Sequence, residues 1–153
     1  MTIKNNLKSI LSSLPSGVQL VAVSKTKSNE EIMEAYDAGQ RIFGENKVQE
    51  LVRKQESLPK DIKWHFIGHL QSNKVRMIVP FVAMIHSVDS YNLLKTINDE
   101  ARKADRVIPC LLQFHIASEE SKFGFSADVA FQLLSSIKAV SYTHLTLPTI
   151  YSV

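Results

Sequence analysis

Five short apolar runs, starting at residues 18, 41, 63, 84 and 107, each give way to a polar loop and then to a helical pattern. That alternation constrains the fold more than any other feature of the chain. The first run, Val18 to Val23, is nearly all apolar and rich in β-branched residues, without the in-out alternation of a half-solvated strand. Such runs are typical of parallel sheets covered by helices. Ahead of it, Ile3, Leu7, Ile10, Leu11 and Leu14 recur at steps of three and four until Pro15-Ser16-Gly17 breaks the pattern, which predicts an amphipathic helix and a turn. After it, Ser28 and Glu31 have the spacing of a capping box and open a helix that closes at Gly39.

The same grammar repeats. A strand Arg41 to Phe43 precedes a helix Lys47 to Ser57, a strand Lys63 to Ile67 precedes a helix Asn73 to Val79, and a strand Met84 to Val88 precedes a helix Ser90 to Ala104. A fifth strand, Val107 to Ile116, leads to a loop and a helix opening near Ser126. Strand starts roughly 20 to 25 residues apart are the repeat of an α/β protein with right-handed crossovers. No sequence identity links the units, so the repetition is architectural.

Composition narrows the class. At 153 residues and 44% hydrophobic, the chain can bury a substantial core as one domain, which excludes a disordered tail, a collagen-like fibre or a disulfide-stapled miniature. Eighteen Lys and Arg against 15 Asp and Glu leave a net +3 that is spread along the chain, so nothing supports a nucleic-acid partner. The lone cysteine, Cys110, sits in an apolar run and reads as a buried small hydrophobe in a reducing compartment. No stretch approaches the ~20 apolar residues of a membrane span or the core of a signal peptide, which predicts a cytoplasmic protein without membrane association.

Ligands of α/β sheets gather at the carboxyl ends of the strands, and the residues there are polar: Ser24-Lys25, Gly44-Glu45-Asn46, Gly68-His69, Ser87 to Ser90, and His115 with Glu119, Glu120 and Lys122 beyond. Lys25 directly continues an apolar strand. Burial of its stem would disfavour the ammonium and make the amine a nucleophile for aldehydes; a lysine that snorkels into water fits the position as well. Asn46 could bond a ligand or cap the next helix. Gly44 and Gly68 suit a close backbone approach or a turn of positive φ. Asp89 and Ser90 precede a helix and read first as caps. His65 and His69 lack a third ligand at metal spacing, so no metal site is expected. Neither a phosphate-binding glycine loop nor a Gly-x-Ser-x-Gly elbow is present.

Four strings carry a resemblance: Leu20 to Lys27 (LVAVSKTK), Ile42 to Glu50 (IFGENKVQE), Trp64 to Lys74 (WHFIGHLQSNK) and Glu119 to Gly124 (EESKFG). In this order they are similar to the pyridoxal phosphate homeostasis protein family, from about Leu7 to Ile137. The resemblance implies a (β/α)8 TIM barrel of the alanine racemase N-terminal type, with pyridoxal 5'-phosphate held as a Schiff base on Lys25. It further implies Asn46 and His69 as cofactor-pocket residues, no catalytic residues, and a carrier without turnover that is monomeric at full length and supplies cofactor-dependent apoenzymes. An amino-acid racemase using the same lysine is the enzymatic alternative, and a complete flavodoxin-like five-stranded domain is the other.

The chain departs from that family late. A full barrel needs about 200 to 250 residues, and the Ser-Met-Gly-Met-Ser and Arg-Ile-Gly strings of the later, phosphate-binding strands do not occur. Residues 1–140 are therefore expected to form a barrel truncated after about five βα units, and 141–153 to be a tail foreign to it. A sheet stopped there would keep two open edges and an uncovered apolar interior.

Overall fold

The computed structural model describes residues 2–114, 124–126, 128–129 and 132, and the backbone of 143–146. Helices and strands alternate along the chain: α1 (Ile3–Ser13), β1 (Ala22–Val23), α2 (Asn29–Asp37), β2 (Ile42–Glu45), α3 (Val48–Ser57), β3 (Lys63–Phe66), a 3-10 turn (Ser72–Lys74) running into α4 (Val75–Ile78), β4 (Met84–Val88), α5 (Tyr91–Lys103), β5 (Ile108–Leu112) and β6 (Thr143–Thr146). All strand pairings are parallel, and the sheet order is β1-β2-β3-β4-β5-β6. A doubly wound domain reverses its strand order at a switch point. Here the order never reverses, so the sheet winds in one direction as a barrel wall does, and the flavodoxin-like alternative falls.

The local signals act where they were expected. Ser28 accepts the Glu31 amide while the Glu31 carboxylate accepts the Ser28 amide, completing the capping box of α2. Ser90 caps α5 by accepting the Leu93 N–H. Near Ser126 the expected helix start is present, its hydroxyl accepting the Val129 N–H at 3.4 Å.

Three expectations need correction. Strand β1 is shorter than Val18 to Val23, because the Gln40 side chain donates to Leu20 O at 2.9 Å and takes the place of a ladder amide there. The helix expected over Asn73 to Val79 is split between the 3-10 turn and the single turn α4, with Pro80 just beyond. The sheet also does not stop at five strands: Thr143–Thr146 runs parallel to β5, pairing Ile108 with Thr143 through Leu111 with Thr146. The expected loop residues His115, Glu119, Glu120 and Lys122 lie outside the described residues.

Burial differs between the two faces of the sheet. On the helix side, Phe43, Trp64, Phe66, Ile85, Ile108 and Cys110 are at most 2% exposed and pack on Leu51, Val75, Ile78, Leu94 and Ile97. Removing that much apolar surface from water is the main stabilising term. On the other face Val21, Ile67, Met84, His86 and Leu111 are only half-buried and Val23 is 53% exposed. Gly44 belongs to this inner face, since a Cβ there would lie 3.1 Å from both Val21 and Ile67.

Candidate functional site

Strand β1 ends in a tight turn. Lys27 N–H donates to Ser24 O at 3.0 Å, so Lys25 and Thr26 occupy the two central positions. Thr26 has a φ of 64°, in the left-handed region where such turns normally place glycine and where a β-branched residue is strained. The turn presents Lys25 as an exposed residue. Of the two settings open to it, a buried stem or a side chain reaching into water, the exposed one holds: the chain turns away at Ser24, and the apolar strand end does not enclose the side chain.

The buried lysine is Lys54, on α3. Its Nζ donates to Glu45 Oε1 at 2.7 Å, to Glu50 Oε1 at 2.7 Å and to Ser24 O at 2.8 Å. Glu45, wholly buried at the end of β2, also accepts from Ser24 Oγ at 2.6 Å, while its Oε2 has no hydrogen-bond partner. Glu50 accepts the Thr26 amide at 2.8 Å. The Lys54 ammonium, aided by that amide and opposed by partial burial, holds the Glu50 carboxyl below the usual carboxylate range. This cluster escaped the sequence reading, although a lysine three residues after Leu51 on the buried stripe of α3 was a visible anomaly.

The strand ends beside β1 carry the other two expected residues. Asn46 is half-buried just past β2. The N-cap of α3 is Lys47, without a side-chain cap bond, so Asn46 is not spent on capping. Backbone from the next strand end crosses directly over it: a Cβ on Gly68 would lie 2.2 Å from Asn46 O. That contact, and not a positive φ, is why residue 68 is glycine. The crossing brings His69 to the same rim, where its Nδ1 lies 3.1 Å from Asp89 Oδ2, just past β4. Asp89 thus pairs across the rim, and Ser90 does the capping.

Deeper on the inner face, His65 Nδ1 and His86 Nε2 are 2.9 Å apart. Burial, then the neighbouring His86 and Lys63, push His65 down to about 4, and burial also lowers His86. At neutral pH the pair is uncharged and one ring donates to the other. His86 was not anticipated; it follows Met84 by two along β4, the period that shares a face. Among the described residues no cluster of three or more metal-ligating side chains occurs, and burial pushes the Cys110 thiol up to about 12, far from a nucleophile.

A singly wound parallel α/β wall, with a lysine on the turn after its first strand and polar residues at the next strand ends, defines a barrel-type α/β domain. The family model for the alanine racemase N-terminal domain matches residues 1–152, and the chain belongs to that family. The resemblance carried by the four strings is thereby borne out. A relative from Vibrio alginolyticus, named pyridoxal phosphate homeostasis protein, is 40% identical over 144 residues, covering 91% of this chain and 61% of that protein. The chain therefore spans about three-fifths of that curated relative's length. The structure of PipY from Synechococcus elongatus without PLP matches with a TM-score of 0.90 at 36% identity, covering 99% of this chain and 74% of that one. The same protein with PLP bound matches with a TM-score of 0.87 at 35% identity, covering 99% and 73%. Alanine racemase from E. faecalis shares the fold, with a TM-score of 0.74 at 14% identity over 95% of this chain and 40% of that one. No described helix is long and apolar enough to cross a membrane.

Proposed function

We propose that this chain binds pyridoxal 5'-phosphate at the rim formed by the first strand ends, with Lys25 as the amine that takes the aldehyde, and that it serves intracellular cofactor homeostasis. The observation that carries this reading is the placement of Lys25: an accessible amine on a strained, hydrogen-bonded turn at the carboxyl end of the first strand. Strain of that kind collects at functional sites. Support comes also from PipY, a 35% identical protein whose structure holds PLP.

When bound, the cofactor would supply an aldehyde, which the Lys25 amine would take with loss of water. Asn46, half-buried and free of a capping role, would face the ring's polar substituents, and the His69–Asp89 pair would border it from β3 and β4. Asn46 and His69 can both donate hydrogen bonds. We read the protein as a carrier and not a racemase, acting in the cytoplasm and passing cofactor to apoenzymes that depend on it. The deciding experiment adds pyridoxal 5'-phosphate to the purified chain and to Lys25→Ala, then follows the yellow absorbance and borohydride trapping. Colour and trapped mass at Lys25 in the unsubstituted chain alone support the reading; equal colour in both removes Lys25 from its role. Loss of optical rotation from L-alanine, faster than with free cofactor, would favour the racemase.

A further inference from the structure

Ser24 and Thr26, the two residues flanking Lys25, are both tied to one buried cluster on the helix side of the sheet. Lys54 Nζ donates to Ser24 O, Glu45 Oε1 accepts from Ser24 Oγ, and Glu50 Oε1 accepts the Thr26 amide, at 2.8, 2.6 and 2.8 Å. Lys54 then joins both carboxylates at 2.7 Å each. Ser24 O thus accepts twice, from the ammonium and from the Lys27 amide that closes the turn. The Lys54 and Glu45 side chains are 7% and 0% exposed, so their contacts with each other and with Ser24 are scarcely screened by water, while the Thr26–Glu50 bond lies at the exposed edge of the cluster. Left to itself, a threonine at φ 64° would relax, and the turn would carry Lys25 with it.

We infer that Lys54, Glu45 and Glu50 are positioning residues: they clamp the backbone on both sides of Lys25 and so fix where its amine stands at the rim. The inference rests on the reading of Lys25 as the residue that takes the aldehyde. None of the three need touch the ligand. Their effect is preorganisation, since a residue already held in its reactive place loses less freedom on capture of the ligand.

The test uses the full chain, pyridoxal 5'-phosphate as the probe, and the variants Glu50→Ala and Glu50→Gln, with folding checked by circular dichroism. Glutamine keeps an oxygen acceptor for the Thr26 amide and alanine does not. Glu50→Ala is expected to raise the concentration for half-maximal yellow absorbance about tenfold, to lower the fraction of borohydride-trapped cofactor found on Lys25, and to speed hydrogen exchange at the Thr26 amide about tenfold. Glu50→Gln should recover most of each loss, which general destabilisation would not do. Should Glu50→Ala fail to fold, the unsubstituted chain still decides: a Thr26 amide exchanging at the rate of an open loop overturns the clamp. Unchanged half-saturation and unchanged trapping on Lys25 in Glu50→Ala overturn the proposal alone. An unsubstituted chain that takes no cofactor on Lys25 overturns the binding reading and the proposal together.

Discussion

Lys54 Nζ sits 2.7 Å from Glu45 Oε1 in a contact from which water is almost wholly excluded. Such a pair is held less by its own attraction than by the cost of separating it. Removing one partner leaves a buried charge, which costs about 3 to 5 kcal/mol, whereas replacing both is often close to neutral. Lys54→Met should therefore lower stability by about that amount in denaturant unfolding followed through Trp64, the only tryptophan. Glu45→Gln combined with Lys54→Met should regain at least half of the loss. An additive double variant would show that the two residues are not coupled.

The histidine pair sets a different dependence. His65 is held down to about 4 in the folded protein, by burial first and by His86 and Lys63 after it, so the unfolded chain binds the extra proton more readily. Stability from this site is complete above about pH 6.5, the ordinary histidine value, and is lost as pH falls toward 4. The midpoint of thermal unfolding should stay level from pH 8 to 7 and then drop by several degrees between pH 6.5 and 4.5. His65→Gln should flatten that part of the curve. A profile that keeps its slope in the variant would assign the acid sensitivity elsewhere.

Much of the architecture was legible in the sequence because its signals are local. Ser28 with Glu31, and Ser90 before Leu93, satisfy amides within one turn of chain, and the apolar run over residues 63–67 has no partner but a sheet. The repeat implied a parallel α/β sheet, but not its strand order: the unreversed order of a barrel wall was implied only by the resemblance and is decided by the pairings between strands. The candidate site was legible by position: Lys25, Asn46 and His69 stand at strand ends, and of the two settings open to Lys25 the structure has the exposed one, while the buried Lys54 was not anticipated. Which lysine is dry depends on contacts such as Thr26 with Glu50, 24 residues apart, and on a left-handed threonine that no local preference predicts. His86 was hidden for the same reason, since its partner His65 lies on another strand.

Thr26 gives a direct measure of the strain at the turn. The left-handed conformation costs a residue with a Cβ roughly 1 to 2 kcal/mol. Glycine removes that cost but gains freedom in the unfolded chain worth about 0.5 to 1 kcal/mol. Thr26→Gly should therefore leave the protein more stable by up to about 1 kcal/mol, unlike most substitutions. A loss beyond about 0.5 kcal/mol would mean that the threonine side chain contributes contacts outweighing its strain.

Gly68 separates the rim's geometry from the stability of the fold. A Cβ there would lie 2.2 Å from Asn46 O and 2.7 Å from Asn46 Cα, both backbone atoms that no rotamer change can move aside. Gly68→Ala must push the strand end that leads to His69 away from the one that carries Asn46, with an overpacking cost of about 1 to 3 kcal/mol. Gly17 provides the contrast, since its φ of 85° strains any other residue while nothing lies within 4 Å of the added atom. Both alanine variants should unfold at lower temperature. Only Gly68→Ala should also weaken the yellow absorbance with pyridoxal 5'-phosphate, because it alone shifts Asn46 against His69 and its partner Asp89. Equal loss of colour in the two variants would make the effect one of stability, and would remove the juxtaposed second and third strand ends from the binding site.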